Sequence, residues 1–539
     1  MKKKKLLSLL VTTCLATTTL VACSNEASKE PEVTEDGRVV LTGLITKHPL
    51  TKDVNKMEWL EEAEKRAGVD IKWEEVTADW EQKKGAMLAG GDIPDLIVGP
   101  NAITDADFSK FKGLFEDLTP LIEEHAPNIE TMFEEKSELK VISTQLNGEI
   151  YGLPKYQRYW PDTATRQFIN QQWLDNLGLE QPTNWDELYT VLKAFKEEDA
   201  NGNGDPNDEI PMDFAPVATG GFGFFHPTVL LGSTGMTIVG GGGQGYFAED
   251  GKVNNFFVDE RYKQVVEFLN KLYKEKLISA EAFTQDYTKF QSVARGKGET
   301  AKVGYTYGWE LTDRFGNELA PQYSSLAPLK VDASSTVQTS WTYDYDVLNY
   351  GVNMIQMSSK TKDKAAAMKF INELYDPKVS MQVLFGSLGT NIQDNGDKTY
   401  SILPPGDEKM DPGTWKWTSS WADNGPLYIS DSLELTLGTD MQSVDQQTEA
   451  LQSALDAVDT ENDVLPGTFL KYSEEDNNAM SLVNTELMNL AMANFSKWVT
   501  KGGVDSEWNA YVEKMNQIGI QKNIDTTQKY YDEYKTKLQ

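Results

Sequence analysis

The chain has 539 residues, with 51 Lys and Arg against 83 Asp and Glu, so its formal net charge is −32. Such an acidic chain lacks the concentrated basic surface that nucleic-acid binding requires. Its 39% of hydrophobic residues, 10% of the chain being aromatic, exclude a disordered protein. A length well above roughly 300 residues predicts at least two domains.

The first 23 residues predict an export signal. Lys2 to Lys5 form a positive start, and the apolar stretch that follows is too short and too Thr-rich for a membrane span. Its end, Leu20-Val21-Ala22-Cys23, resembles the lipobox of bacterial lipoproteins. That resemblance implies cleavage after residue 22 and attachment of lipid, including a palmitate chain, to Cys23. It also implies a body tethered to the outer face of the cytoplasmic membrane of a Gram-positive-type bacterium. The alternative is a soluble secreted protein with a chance Cys near its cleavage site.

The body of the chain opens with alternating strand and helix patterns. The runs 39–45, 69–76 and 95–99 predict strands, and the runs 54–67 and 80–89 between them predict helices. This alternation is typical of an α/β domain, in which ligands bind at the carboxyl ends of the strands. We therefore expect Lys47, His48 and Asn101, which follow two of these strands, to lie at a ligand cleft.

Helical patterns dominate after residue 151. We predict helices over 185–196, 260–276, 365–374 and most of 478–539. The Gly-rich stretch 220–245 lacks the spacing of a phosphate loop, so we predict a mobile surface or cleft loop there.

An Asn- and Asp-rich loop resembles the start of an EF-hand. Asp199, Asn201 and Asn203 stand at positions 1, 3 and 5, and Gly204 stands at position 6. Position 12 is Ile210 where an EF-hand has a bidentate Glu, so other residues would have to complete the shell. The loop predicts a structural Ca²⁺ site, and the alternative is a turn without metal. Its predicted ligands are Asp199, Asn201, Asn203, Asp205, Asn207, Asp208 and Glu209.

Four aromatic tracts, 155–160, 305–309, 341–345 and 415–421, do not follow helical spacing and are mixed with polar residues. Flat rings beside hydrogen-bonding groups are what a sugar requires, because its C–H faces stack on rings while its hydroxyls need polar partners. The alternative is that many of these rings are core, and that 341, 343 and 345 share one strand face. The predicted ligand-binding residues are Lys47, His48, Asn101, Tyr156, Arg158, Trp160, Arg166, Trp309, Trp341, Tyr343, Asp344, Tyr345, Trp417 and Trp421.

Catalytic patterns are scarce. The chain has three His and neither an HExxH nor a GxSxG motif. Pairs of acidic residues do not indicate a glycoside hydrolase here, because a chain with 83 acidic residues contains many such pairs by chance. We therefore predict no catalytic residues and no enzyme activity.

Several stretches, in order, resemble family 1 of the extracellular solute-binding lipoproteins of ABC sugar importers, and specifically its long oligosaccharide-binding group with an EF-hand-like calcium loop. They are 86–99 (AMLAGGDIPDLIVG), 147–154 (NGEIYGLP), 168–179 (FINQQWLDNLGL), 182–187 (PTNWDE) and 493–519.

This resemblance implies an α/β fold of the two-lobed, class II periplasmic-binding-protein type, with a hinge and a cleft between the lobes. After the signal (1–22) and a flexible spacer (23–37), the N-terminal lobe would comprise 38–153 and about 346–425. The C-terminal lobe would comprise about 154–345 and about 426–539.

The implied function is capture of an oligosaccharide by lobe closure and delivery to an ABC permease, by a monomer anchored to the membrane through lipid. A fructo-oligosaccharide is the preferred ligand, since the acidic composition disfavours a polyanionic glycan. The rival hypotheses are a surface glycoside hydrolase and a peptide-binding or adhesin lipoprotein.

Overall fold

The structure is a computed structural model that describes residues 30–217, 220–296, 298, 300–407, 410 and 412–538. Cys23 and the predicted export signal lie outside the described residues. Within the described ranges, no helix has the length and apolar character needed to cross a membrane.

The first part of the chain builds a parallel sheet with helices packed on it. The first helix of this part buries Trp59, Leu60 and Ala63, and Gly68 ends it with φ 75°. The elements are β1 Val39–Thr46, α1 Glu58–Ala67, β2 Val69–Val76, α2 Trp80–Gly90, β3 Leu96–Val98, α3 Asp105–Lys110, α4 Thr119–His125, α5 Pro127–Glu135, α6 Ser137–Ser143 and β4 Gly152–Tyr156.

The chain then enters a second α/β region. Its helix over residues 185–197 is capped by Asn184, whose side chain accepts a hydrogen bond from the Glu187 N–H. The elements are β5 Arg166–Asn170, α7 Gln171–Leu177, α8 Trp185–Glu197, β6 Ile210–Met212, β7 Tyr246–Glu249, β8 Lys252–Asn255, α9 Glu260–Lys274, α10 Tyr287–Arg295, β9 Val303–Gly308, α11 Leu311–Leu319 and β10 Tyr323–Ser325.

The last part returns to the first sheet and ends in three long helices. Its elements are α12 Tyr345–Asn349, β11 Tyr350–Met357, α13 Lys364–Leu374, α14 Pro377–Phe385, β12 Ile392–Gly396, β13 Thr399–Ile402, α15 Pro412–Ser419, β14 Glu434–Thr436, α16 Thr439–Thr448, α17 Gln452–Leu455, α18 Glu474–Lys501, α19 Val504–Ile518 and α20 Ile520–Leu538.

The first sheet has the order β2-β1-β3-β11-β4. Strand β1 pairs in parallel with β2 and β3, whereas β11 runs antiparallel to both β3 and β4. The carboxyl ends of β1, β2, β3 and β4 therefore share one edge, and β11 begins at that same edge.

The second sheet has the order β10-β5-β9-β6. Strand β5 is antiparallel to β9 and β10, and β6 is parallel to β9. The carboxyl ends of β6, β9 and β10 thus lie at the edge where β5 begins.

The chain crosses between the sheets at these two edges. It leaves β4 at Tyr156 and enters β5 at Arg166, and it returns after Ser325 to begin β11 at Tyr350. The nine residues of the first crossing, 157–165, allow Tyr156 and Arg166 to lie at most about 35 Å apart. The edges with the strand carboxyl ends therefore face each other across the crossings, as expected for a two-lobed α/β protein.

These two sheets pack into separate cores. The first core unites residues 41–160 with Ile355–Phe385, and Leu427–Leu433 also pack into it. The second core unites residues from Phe168 to Trp341 with the C-terminal helices. The predicted lobe bounds themselves stay a prediction.

We predicted a mobile surface or cleft loop over 220–245, whereas the structure buries much of this stretch. A 3-10 helix over Pro227–Thr234 is almost wholly buried, and Gly241 and Gly242 are buried as well. A Cβ on Gly241 would stand 2.1 Å from the Gly223 carbonyl oxygen, so the glycine permits a close backbone approach that composition could not reveal.

Candidate functional site

Polar residues with unusual backbone geometry lie at the edge of the first sheet that faces the second lobe. Asn101 follows β3 with φ 49°, and Asn353 near the start of β11 has φ 50°. The Asn353 amide lies 3.4 Å from Asn101 Oδ1 and donates to Asp105 Oδ1 at 2.9 Å. Left-handed backbone at non-glycine residues is costly and clusters at binding sites, so this edge is a candidate site.

An aromatic pair stands at the same edge after β1. The rings of His48 and Trp417 lie 4.4 Å apart with an interplanar angle of 32°, and both residues are half-buried. Helix α15 is tied to this edge because the Thr51 hydroxyl donates to the Trp417 carbonyl at 2.9 Å. Burial, aided by the Lys416 ammonium, lowers the pKa of His48, so the ring is neutral at pH 7. The two rings form an uncharged aromatic surface at this edge.

A network of charges lies beside this aromatic pair. Asp423 lies 3.1 Å from Lys155 and 3.4 Å from Lys416, and it accepts a hydrogen bond from Trp160 Nε1 at 3.0 Å. Burial alone would raise the pKa of the Asp423 carboxyl, but the two lysines outweigh it and hold that pKa well below its usual range. Lys416 also lies 4.3 Å from the Trp160 ring and 5.1 Å from the Trp417 ring.

Arg166 begins β5 at the opposite edge and is buried. Its guanidinium donates to the Thr448 hydroxyl at 2.6 and 2.9 Å and to the Trp309 carbonyl at 2.8 Å, and it lies 5.2 Å from the Trp309 ring. Burial lowers its pKa to about 10, so it remains charged at neutral pH. Arg166 thus fixes the half-buried Trp309 at the carboxyl end of β9.

Asp344 and Trp341 hold the two crossings together. The Asp344 carboxylate accepts hydrogen bonds from Ala164 N at 2.8 Å, Gly240 N at 2.7 Å and the Thr342 hydroxyl at 2.8 Å. Trp341 Nε1 donates to the Thr165 carbonyl at 2.7 Å. Both residues are fully buried, so they fasten the crossings and the Gly-rich stretch to each other.

The predicted ligand-binding residues divide by exposure. Those that are exposed or half-buried are Lys47, His48, Asn101, Arg158, Trp309, Tyr343, Tyr345 and Trp417. Those that are buried are Tyr156, Trp160, Arg166, Trp341, Asp344 and Trp421. The side chains of the buried set contact other parts of the protein and hold the neighbouring segments in place. Ligand contact by any of the fourteen residues stays a prediction.

Several of the predicted ligand-binding residues, exposed and buried alike, contact other residues of the protein. Lys47 Nζ lies 2.7 Å from Glu75, and Arg158 donates to the Leu433 carbonyl at 3.1 Å. The Tyr156 hydroxyl lies 3.1 Å from that of Tyr345 and donates to Asp431 at 2.7 Å. Trp421 packs edge-on against two other Trp rings, those of residues 59 and 73, at 5.3 Å each.

Sequence reasoning missed four residues of this region. Asp423 and Lys416 carry the charges beside the aromatic pair, and Asp105 pairs with Lys471 at 2.9 Å between the two lobes. No local pattern marks them, because packing between distant parts of the chain brings Lys155 to Asp423 and Lys471 to Asp105.

The predicted calcium loop lies apart from the cleft, between α8 and β6. The Asp199 carboxylate accepts hydrogen bonds from the backbone of Asn203 at 3.0 Å and of Gly204 at 2.8 Å. The amides of Asn201 and Asn203 donate to Asp208. Glu209 Oε2 is buried with no hydrogen-bond partner, and burial raises the pKa of that carboxyl.

The chain is similar to known binding proteins along most of its length. Residues 50–381 match the family described as bacterial extracellular solute-binding protein. The fructooligosaccharide ABC transporter substrate-binding protein FusA of Streptococcus pneumoniae is 26% identical over 560 aligned residues, which cover 98% of this chain and 97% of FusA.

Solved structures agree with this likeness. FusA in complex with kestose superposes with a TM-score of 0.78 at 26% identity, covering 92% of this chain and 99% of FusA. An HMO-binding, ABC-transporter-associated solute-binding protein of Bifidobacterium longum infantis superposes with a TM-score of 0.84 at 32% identity, covering 93% of this chain and 99% of that protein. The relatives named here are solute-binding proteins of ABC transporters. The candidate site is consistent with ligand binding.

Proposed function

This chain belongs to the bacterial extracellular solute-binding protein family, and from that premise we propose that it captures a neutral fructo-oligosaccharide for an ABC importer. The observation that carries the proposal is the likeness to FusA over almost the full length of both chains. Kestose, which FusA binds in its solved complex, is a neutral trisaccharide. The neutral His48–Trp417 surface suits such a ligand.

The mechanism is closure of two lobes on a shared ligand. Lys47, His48, Asn101 and Trp417 lie on the first lobe, and Trp309 lies at the facing edge of the second lobe. A ligand that contacts both edges stabilises the closed arrangement over the open one, so binding shifts the population without bond chemistry.

A second candidate ligand is an HMO, since the Bifidobacterium protein is 32% identical to this chain. Both ligand classes use the same cleft and the same mechanism. They differ in the sugar rings that the aromatic surface accepts.

The test is a panel of oligosaccharides in a thermal-shift assay, with product analysis of each mixture. We expect kestose to raise the melting temperature and to remain intact. A larger shift with an HMO would favour the second candidate. Release of shorter sugars would support the hydrolase hypothesis, and a shift with peptides alone would support a peptide-binding lipoprotein.

We propose that the mature chain begins at Cys23, carries lipid there and stays at the cell surface beside its permease. The support is the lipobox-like run 20–23 followed by a polar stretch. Substitution Cys23→Ser should release the protein into the medium of the producing cells. Retention of that variant on the membrane fraction would contradict the lipid anchor.

We propose that the loop from Asp199 to Glu209 holds a structural Ca²⁺. The loop fits a hard cation, because it gathers carboxylates and amide oxygens and buries an unpartnered oxygen of Glu209. Among the described residues, no three His, Cys, Asp or Glu side chains converge as ligands of one ion. The ion would therefore depend on the oxygens of Asn201 and Asn203 and on backbone carbonyls as well.

Removal of calcium should destabilise the protein. Chelation by EDTA is expected to lower the melting temperature, and added Ca²⁺ should restore it, because an ion that binds only the folded state stabilises that state. Asp199→Ala should abolish the response, whereas Asp175→Ala on the nearby α7 should keep it. An unchanged melting temperature in EDTA would count against a calcium site.

A further inference from the structure

The second lobe contains a cavity of about 570 Å³ between α18 and the Gly-rich stretch. Gln244 and Tyr246 line one side, Tyr472 lines another, and α18 contributes side chains from successive turns. None of the residues placed at the candidate site above lines this cavity. It is large enough for a small ligand.

The lining carries no charge. All fourteen residues that line the cavity are neutral, although charged residues make up 25% of the chain. An ionic ligand would find no opposite charge there, and burying an unpaired charge is unfavourable. The cavity therefore selects for a neutral ligand.

Helix α18 presents a row of hydrogen-bonding groups to the cavity. Asn477, Ser481, Thr485 and Asn489 line it at intervals of four residues, so they lie on one helix face. The row extends about 18 Å along the helix. Such a row matches a ligand with many hydroxyl groups along its length.

Polar side chains beside this row are held in place by hydrogen bonds. The Asn484 amide accepts from the Tyr246 hydroxyl at 3.0 Å and from Asn523 Nδ2 at 2.9 Å, and it donates to Gln244 at 3.1 Å. The Tyr472 ring packs edge-on against that of Tyr530 at 4.8 Å. A fixed amide beside a fixed ring is a preorganised surface.

Apolar groups complete the lining. Met480 and Met488 are buried side chains from α18 that contact the cavity together with the rings of Tyr246 and Tyr472. Apolar patches between neutral hydrogen-bonding groups suit the C–H faces and hydroxyls of a sugar ring.

We propose that this cavity is a second carbohydrate-binding site, which takes neutral sugar residues on the second lobe alone. The choice of ligand class rests on the proposed function, whereas the location rests on the cavity. Because every lining residue belongs to the second lobe, binding there does not require lobe closure.

Methyl NMR of the two lining methionines tests the proposal. In protein labelled at the Met methyl groups, kestose should shift the signals of Met480 and Met488, and the shifts should saturate. Trigalacturonate, a charged oligosaccharide, should leave them unmoved. Trp417→Ala, which alters the cleft, should preserve the kestose shifts.

Two variants of exposed residues on α18 provide the matched comparison. Ser481→Phe fills the cavity and should weaken the apparent affinity at these methyls at least five-fold. Asn478→Phe, at an exposed position outside the lining, should leave it unchanged. Unmoved methyls in the wild type, or equal shifts in Ser481→Phe, would overturn the second site.

Calorimetry on the same samples separates this proposal from the proposed function. Calorimetric binding that Trp417→Ala abolishes, combined with unmoved methyls, would overturn the second site and leave the proposed function intact. Shifted methyls without any binding that depends on Trp417 would overturn the proposed function and support the second site.

Discussion

At the residue scale, neighbouring tryptophans of one tract lie in different environments. Trp417 is half-buried and its ring lies 4.4 Å from that of His48, whereas Trp421 is fully buried between Trp59 and Trp73. Their local sequence is similar, and only the packing distinguishes them. A substitution at each therefore separates binding from stability.

Trp417→Ala should weaken kestose binding at least ten-fold, because it removes one ring of the exposed pair. Trp421→Ala should instead lower the free energy of unfolding by about 3–5 kcal/mol, since it leaves a large cavity in the core. Calorimetry and urea unfolding measure the two effects. A large stability loss in Trp417→Ala with unchanged affinity would contradict this division.

The contribution of Asp423 to the free energy of unfolding is predicted to depend on pH. Asp423→Asn leaves Lys155 and Lys416 without their shared carboxylate, so we expect a loss of about 1–3 kcal/mol at pH 7. The pKa of Asp423 is lowered on folding, so its contribution is present above the unfolded pKa of about 4. It is lost as the pH falls through the folded pKa.

Urea unfolding of the wild type and of Asp423→Asn between pH 7 and pH 3 measures this effect. The difference in unfolding free energy should shrink toward pH 3. A difference that grows as the pH falls would show that the carboxylate is not stabilised by its two lysines.

At the element scale, contacts between α3 and the segment before α18 join the lobes. Asp105 begins α3, and Lys471 lies just before α18 with its side chain almost wholly buried. Burial alone would raise the pKa of the Asp105 carboxyl, but Lys471 and hydrogen bonds from Asn353 and Gln145 together outweigh burial and lower that pKa. This ion pair therefore favours the arrangement of lobes seen here.

Lys471→Met should open the cleft of the free protein. We expect a larger radius of gyration in X-ray scattering and a kestose affinity about five-fold weaker, which corresponds to about 1 kcal/mol. Lys497→Met, which removes an exposed ion pair between Lys497 on α18 and Glu507 on α19, serves as the control. Equal behaviour of the two variants would rule out a role for the interlobe pair.

At the scale of the whole molecule, elements were more predictable than site contacts. Strand β1 and the position of His48 after it follow from an apolar run that ends in polar residues, and the predicted helix over 185–196 closely matches α8. The predicted helix over 54–67 divides into a 3-10 turn at Val54–Lys56 and α1. Periodicity reveals such elements because it is a local property.

The site contacts depend on packing between distant segments. The pairs Lys155–Asp423 and His48–Trp417 join residues more than 260 positions apart. Residues 341–345 alternate as a strand would, yet Tyr345 begins a helix and Trp341 is buried at the crossing. Composition shows which side chains are available, but only the assembled lobes decide which of them face the cleft.

The most direct test of lobe closure on a neutral oligosaccharide is X-ray scattering of the wild type with and without kestose, with calorimetry on the same sample. Closure of two lobes on a neutral oligosaccharide predicts binding at micromolar concentration or tighter and a smaller radius of gyration in the complex. Trp417→Ala at the same kestose concentration should show neither effect. Tight binding with an unchanged radius of gyration would contradict lobe closure, and no binding of any neutral oligosaccharide would contradict the proposed ligand class.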